Sequence, residues 1–163
     1  MREHPMITGR RLVLSLEPGD EVLTSIGDAC RRHGFEQAIV VVLSGALRSA
    51  RLIGTNNPEG DPELPLADAI EVRYVEGTGS GTVSRDIGDG GDEVYTVHIH
   101  VALGEKGSGA RAVAGHLLSG ITHYVVEIVL DEVLSPRFGR EATLATSGVP
   151  ALTFASPPEG LPQ

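Results

Sequence analysis

TVHIHVALGEKGSGARAVAGHLLSGITHYVVE, from Thr96 to Glu127, contains the residues on which most predictions for this chain depend. It carries four of the six histidines. Polar and apolar residues alternate from Thr96 to Val101, which predicts a β-strand. Because successive strand side chains point to opposite faces, we expect His98 and His100 to share one face.

His116 is a third histidine of interest, in the glycine-flanked segment AGHLLSG. The glycines indicate a turn in which the backbone can be approached closely. Two imidazoles on one strand face and a third from that turn are suited to hold a divalent metal with a coordination position left open. The alternative is that all three histidines are surface or core residues, hydrogen-bonded to their neighbours.

Glu127 lies in the longest apolar strand of the sequence, ITHYVVEIVLDEV (121–133). An isolated charge in an apolar strand is unfavourable, so its carboxylate is expected to be paired, metal-bound or protonated. One interpretation makes Glu127 a fourth metal ligand or a catalytic proton shuttle. The other makes it the partner of an arginine across a subunit interface, such as Arg48 or Arg51.

Composition restricts the class of protein. A chain of 163 residues with 40% hydrophobic and 21% charged residues is typical of one globular domain. Its single cysteine, Cys30, excludes an internal disulfide and favours a reducing compartment. The start of the sequence has no apolar segment typical of a signal peptide. We therefore expect a cytoplasmic protein.

The net charge of −9, with only 13 basic residues, does not favour nucleic-acid binding, which depends on Lys and Arg at phosphates. The basic clusters are restricted to Arg10-Arg11 and Arg31-Arg32. The charge therefore favours a small-molecule ligand or a protein partner over DNA, and no apolar run is long enough to span a membrane.

Hydrophobic patterning predicts one clear helix, which starts at an Asp20 N-cap and ends at Gly34. Residues 105–120 are compatible with either a short helix or a glycine-rich turn. A proline-rich loop is expected at 55–68 and a mobile tip at 87–92. The predicted strands are 10–16, 37–45, 46–54, 69–77, 80–86, 93–104, 121–133 and 151–155.

These elements predict an α+β fold with a mainly antiparallel sheet of six to eight strands and one or two flanking helices. We expect a flexible N-terminus over 1–9, a single domain over 10–155 and a flexible tail over 156–163. Exposed strand edges in such a sheet are commonly covered by oligomerisation.

Five segments in this order resemble the plants and prokaryotes conserved (PPC) domain family, and the resemblance spans roughly residues 10–155. They are LEPGDEVLTSIGDACRRHG, VLSGALRSARL, VHIHVALG, AVAGHLLSG and VVEIVLDEV. The resemblance implies a homotrimer of antiparallel-sheet subunits with flanking helices, as in the prokaryotic stand-alone members. It also implies a fold similar to that of acetolactate decarboxylase, a zinc enzyme whose metal is held by three histidines.

By position, this resemblance makes His98, His100 and His116 the metal ligands and Glu127 the acid in the following strand. The segment Ala114-Gly115-His116-Leu117 departs from the usual Gly-Gly-His-Leu of the family, but the histidine is kept. The segment EVRYVEGTGSGTVS also departs from the family pattern.

Two functions follow from the residues and the resemblance together. The first is a zinc-like metal site with lyase or hydrolase chemistry on a small oxo or hydroxy acid. The second is a non-catalytic, transcription-regulatory module that binds DNA or another protein. In plants the domain accompanies DNA-binding AT-hooks, but this sequence contains no Arg-Gly-Arg-Pro hook.

Overall fold

The computed structural model describes residues 3–53, 69–88, 90–109, 111–146 and 148–154. The predicted loop at 55–68 and the predicted tail at 156–163 lie outside the described residues. Within the described ranges the chain forms seven strands, one α-helix and one 3-10 helix. The strands are β1 (Ile7–Leu16), β2 (Gln37–Ile53), β3 (Ala69–Ile87), β4 (Glu93–Glu105), β5 (Ala112–Ser135), β6 (Phe138–Ala142) and β7 (Pro150–Phe154).

The main sheet is antiparallel and has the strand order β1-β5-β2-β3-β4. A further pairing of β5 with β4 closes β2, β3, β4 and β5 into a barrel-like sheet. This closing ladder is short and runs from the pair His100–His116 to the pair Gly104–Ala112. β6 and β7 form a separate two-stranded sheet. The predicted mainly antiparallel α+β fold is therefore confirmed, although the barrel closure was not predicted.

The α-helix α1 (Val22–His33) packs against β4 and β5 and supplies part of the core. Its residues Val22, Ile26 and Cys30 are fully buried among strand side chains such as Leu130. Burial in this apolar environment raises the pKa of the Cys30 thiol to about 11. Cys30 is therefore a core residue and not a reactive thiol.

The N-cap of α1 is Glu21, and the prediction of Asp20 at this position is wrong. One carboxylate oxygen of Glu21 accepts from the Thr24 backbone N–H at 2.8 Å, and the other accepts from the Gly120 N–H at 2.9 Å. The side chain thereby connects the first turn of α1 to β5. Asp20 instead accepts a hydrogen bond from the backbone N–H of Glu17.

The structure joins strands that were predicted as separate. The predicted pair 37–45 and 46–54 forms the single strand β2, and the predicted pair 69–77 and 80–86 forms the single strand β3. Gly45, Gly77 and Gly79 stand where the predicted strands end or are interrupted. They lie within continuous ladders instead, where backbones of adjacent strands approach closely, as Gly45 does at Val125 and Val126.

Residues 105–120 form neither of the two predicted structures in full. A turn follows Glu105, but β5 begins at Ala112 and continues unbroken to Ser135, so the helix alternative is wrong. Pairing with both β2 and β4 satisfies the backbone of this segment, and this outweighs its helical spacing of apolar residues. β1 starts at Ile7, and the tip at 87–92 contains a hydrogen bond from the Gly88 N–H to the Asp92 carbonyl.

The region after β5 was predicted to be irregular apart from a strand at 151–155. The structure places β6 and the 3-10 helix (Leu144–Thr146) there, and the predicted last strand is observed as β7. Nowhere in the described part of the chain is a helix both long and apolar enough to cross a membrane.

Candidate metal centre

His98 and His100 lie on the same face of β4, because the residues between and beside them are fixed in the core. Ile99 is fully buried and Val101 is 4% exposed, so the two histidines must point away from the interior. His98 is half-buried and His100 is exposed. The alternation predicted from the sequence is confirmed.

His116 lies on β5, directly opposite His100 across the short β4–β5 ladder. It is therefore in a strand and not in the predicted turn. The neighbouring Gly115 is required for this placement, since a Cβ built there would lie 2.3 Å from the backbone oxygen of Ile53. The absence of a side chain at Gly115 lets β2 and β5 approach, which sets the position of His116.

The three histidines form a cluster. One ring nitrogen from each of His98, His100 and His116 lies within 4.8 Å of the others, and the ring centroids are 4.6–5.4 Å apart. Nitrogen ligands about 2.0–2.1 Å from a tetrahedral metal would be about 3.4 Å apart. A bound metal would require the three nitrogens to lie at about that spacing.

The environment favours the neutral imidazoles that bind metals. Burial is the main cause that lowers the pKa of His98 to about 4, with further lowering by the charges of Arg140, His116 and His100. Burial also lowers the pKa of His116, followed by the charges of His100 and Arg140. Three neutral nitrogen donors with one exposed side suit zinc and similar divalent transition metals better than Mg²⁺ or Ca²⁺.

Arg140 and Thr82 border the cluster and were not identified from the sequence. Thr82 on β3 is the register partner of His98, and its Oγ1 accepts a hydrogen bond of 2.9 Å from Nη2 of Arg140. Arg140 lies on β6, in a region predicted to be irregular. Its sequence context, FGREATLATSG, contains no pattern that would connect it to the histidines.

Glu127 lies apart from the cluster within one chain. It follows His116 by eleven residues on the extended strand β5, and its side chain is exposed between Ser15 and Ser44 on the neighbouring strands. Among the described residues, the group suited to hold a metal consists of the three histidines without any carboxylate. The Glu127 side chain is exposed in the single subunit, and its pairing across a subunit interface stays a prediction.

The two basic clusters of the sequence are largely engaged by carboxylates. Arg10 pairs with Glu132 at 2.7 Å and Arg11 pairs with Asp131 at 2.6 Å. Arg31 pairs with Asp28 at 2.6 Å on the surface of α1. These acidic partners neutralise the charges that a phosphate backbone would need to contact.

Several solved structures are similar to this chain along most of its length. A PPC protein from Pyrococcus horikoshii shares 26% identity at a TM-score of 0.70, and the match covers 88% of this chain and 92% of that chain. The metal-containing protein AF0104 from Archaeoglobus fulgidus matches at 21% identity and a TM-score of 0.71, over 94% and 99% of the two chains. A proposed DNA-binding protein from Bacteroides thetaiotaomicron matches at 21% identity and a TM-score of 0.67, over 91% and 97%.

α-Acetolactate decarboxylase from Bacillus subtilis is a more distant structural neighbour. It shares 10% identity at a TM-score of 0.49, and the match covers 74% of this chain and 51% of that chain. A similarity at this level does not indicate a shared reaction.

Comparison with curated proteins gives no match. The model of the Plants and Prokaryotes Conserved domain matches residues 5–134, which include β1 to β4, α1, all of β5 but its last residue, and all three clustered histidines. The resemblance found in the sequence is thereby confirmed, and the chain belongs to the Plants and Prokaryotes Conserved domain family.

Proposed function

We propose that this protein is a homotrimer that binds one divalent transition metal, zinc or a similar ion, at His98, His100 and His116 of each subunit. We further propose that the metal site carries out lyase or hydrolase chemistry on a small oxo or hydroxy acid. The convergence of three imidazole nitrogens within 4.8 Å is the observation on which this proposal depends.

The donor set supports chemistry at the metal rather than a purely structural site. Three neutral ligands leave the dication its full charge, so a bound metal would supply a Lewis acid able to polarise a carbonyl oxygen or acidify a water molecule. The exposed side of His100 gives a small ligand access to the fourth position. Structural zinc sites, in contrast, are closed by four protein ligands.

An apolar row on the outer face of the sheet supports the proposed oligomer. Val13, Val129 and Val42 are register partners on three adjacent strands, β1, β5 and β2. Val13 is 69% exposed and Val42 is 40% exposed. Such rows on the outside of a sheet are commonly covered by another subunit.

A catalytic role for Glu127 would depend on this assembly. Its carboxylate lies away from the cluster of its own subunit, so it could act on a substrate only at the cluster of a neighbouring subunit. We therefore retain the proton-transfer role as part of the trimer proposal.

The second candidate function is a non-catalytic module that binds DNA or a protein partner. Similarity to the proposed DNA-binding protein from Bacteroides thetaiotaomicron favours it. The net charge of −9 and the acidic partners of Arg10, Arg11 and Arg31 oppose the DNA form of this function. Salt-dependent binding of duplex DNA by the metal-free protein would support it.

Elemental analysis and light scattering on the purified protein together test the proposal. We expect one metal ion per chain and the mass of a trimer. The His98→Ala variant should remain trimeric and lose the metal. The control is His4→Ala, at an exposed position outside the cluster, and it should keep both the metal and the trimeric state. Failure of the metal-free wild-type protein to take up zinc, nickel or cobalt on reconstitution would contradict the proposal.

A further inference from the structure

We infer that Arg140 builds an anion-binding subsite beside the three-histidine cluster and that the molecule bound there carries a carboxylate. This inference rests on the proposed metal site, because it assigns one end of the ligand to Arg140 and the other to the metal. It deepens the proposed function by naming the residue that would recognise the carboxylate of the ligand.

Arg140 is held in place by two hydrogen bonds to acceptors from different parts of the fold. Nη2 donates to Thr82 Oγ1 on β3 at 2.9 Å, and Nη1 donates to the Pro150 carbonyl on β7 at 3.1 Å. The guanidinium group therefore joins the β6–β7 sheet to the barrel. Because Nη1 and Nη2 are already hydrogen-bonded, the side chain loses less conformational entropy when a ligand binds.

Arg140 and Arg85 are the two half-buried arginines within the described ranges, and of the two only Arg85 has a carboxylate partner there. Other arginines near it pair with carboxylates, as Arg137 does with Glu36 at 2.9 Å and Arg85 does with Glu93 at 2.7 Å. Arg140 is half-buried, and no ion pair within the described ranges includes it. Burial lowers the pKa of its guanidinium below the ordinary value.

A partly buried cation without an acidic partner is unfavourable in the free protein. An anionic ligand that binds there would remove this penalty and gain charge-assisted hydrogen bonds. The unpaired charge is therefore better explained by a ligand than by the stability of the fold alone.

The position of Arg140 connects this charge to the histidines. Its anchor Thr82 is the cross-strand partner of His98, and the side chains of such partners lie on the same face about 4.5–5.5 Å apart at Cβ. The charge of Arg140 is also close enough to contribute to the low pKa of His98. A ligand at the metal would thus have Arg140 within reach.

The remaining donors define the class of ligand. Arginine has five N–H donors, and Thr82 and Pro150 occupy one donor each. The guanidinium can therefore still donate to a carboxylate, and a neighbouring oxo or hydroxyl oxygen of the same molecule can approach the metal. A 2-oxo or 2-hydroxy acid has this arrangement, whereas a phosphate dianion would favour more than one basic side chain.

Calorimetric titration of the zinc-loaded protein with oxalate tests the inference, with inorganic phosphate and imidazole as the other probes. We expect oxalate to bind more tightly than phosphate. Arg140→Gln should weaken oxalate binding about 10- to 100-fold, the range for hydrogen bonds to a charged group. Zinc content and imidazole binding should not change, because imidazole needs only the metal.

Arg137→Gln is the matched control, because it removes the same charge just before β6 at a surface ion pair with Glu36. It should bind oxalate like the wild type. Thr82→Val keeps the charge of Arg140 but removes its anchor, so it should also weaken oxalate binding while it keeps zinc. This second variant remains informative should Arg140→Gln disturb folding, which thermal melts would detect.

Wild-type oxalate affinity in a folded, zinc-containing Arg140→Gln protein would overturn the inference, and so would tighter binding of phosphate than of oxalate. A wild-type protein that takes up no zinc would contradict the proposed metal site instead. In that case the same oxalate titration on the metal-free protein tests the Arg140 subsite. Oxalate binding that depends on Arg140 would support it, and the absence of binding would overturn it.

Discussion

His100 and His116 face each other at the end of the β4–β5 ladder, with ring centroids 5.4 Å apart and ring planes at 69°. The same residue pair therefore belongs to the barrel closure and to the candidate metal site. A metal bound by both side chains would cross-link the two strands at the point where they separate. Metal binding and barrel stability should consequently be coupled.

Removal of the metal should lower the melting temperature of the wild-type protein. A free metal concentration 1,000-fold above Kd stabilises the native state by about 4 kcal/mol. For 163 residues this corresponds to about 8–16 °C. Calorimetric melts with and without EDTA measure the difference. In His116→Ala, EDTA should have no effect, and an equal shift in that variant would contradict the coupling.

The stability of the metal-free protein should fall as the pH decreases from 6.5 towards 4. The unfolded His98 imidazole takes up a proton near its ordinary pKa of 6.5, whereas the folded one remains neutral down to about 4. The unfolded state therefore binds more protons in this window, so acid favours unfolding there, and above it the effect of His98 disappears.

Urea denaturation of the EDTA-treated protein at several pH values checks this dependence. His98→Gln should show a flatter slope between pH 4.5 and 6.5 than the wild type, because glutamine does not titrate. Acidic groups with lowered pKa, such as Glu132 beside Arg10, affect both proteins equally. Identical slopes would exclude His98 as the cause.

Gly115→Ala should damage both the fold and the metal site. The added Cβ would lie 2.3 Å from the Ile53 backbone oxygen, so β2 and β5 must separate next to His116. We expect a loss of about 1–3 kcal/mol in the free energy of unfolding and weaker zinc binding. Gly104→Ala is the matched control in the same ladder, where the nearest atom would be 3.6 Å away. Similar effects of both substitutions would contradict this explanation.

Glu21→Ala should destabilise the protein by about 1–2 kcal/mol, since loss of an N-cap alone costs about 1 kcal/mol and the bond to Gly120 is lost as well. Denaturant unfolding measures this difference. Asp28→Ala removes a surface carboxylate of the same helix, paired only with Arg31, and should change stability by less than about 0.5 kcal/mol. Equal losses in the two variants would mean that Glu21 does not connect α1 to β5.

Glu127→Gln should bind zinc with the wild-type affinity within about twofold, as expected for an exposed position away from the cluster. The turnover of this variant tests the proton-transfer role of Glu127, and its zinc content tests the role as a metal ligand. Lost activity with intact zinc binding would place Glu127 at the cluster of a neighbouring subunit, and lost zinc binding would contradict the arrangement described within one chain.

The sequence predicts correctly the features that depend only on residues close together in the chain. The alternation around His98 and His100 fixes their common face because Ile99 must be buried. The length of β5 could not be predicted, because alanine and glycine in residues 105–120 favour no element by themselves. Only pairing with β2 and β4 decides that segment in favour of a strand.

Arg140 and Thr82, which border the cluster, could not be predicted from the sequence for a different reason. Arg140 is 58 residues from Thr82 along the chain, and neither residue lies in a pattern that signals contact with His98. The apolar neighbours of Glu127 suggested an unfavourable environment for its charge, but a strand with one face towards solvent exposes alternate residues whatever their neighbours are. Both outcomes depend on tertiary structure.

Zinc K-edge X-ray absorption of the reconstituted protein shows which side chains bind the metal. We predict a nitrogen and oxygen shell at about 2.0–2.1 Å with outer-shell scattering from three imidazoles. In His98→Ala we expect fewer imidazoles or no bound zinc. A wild-type spectrum without imidazole scattering, or one unchanged in His98→Ala, would contradict a metal centre at His98, His100 and His116.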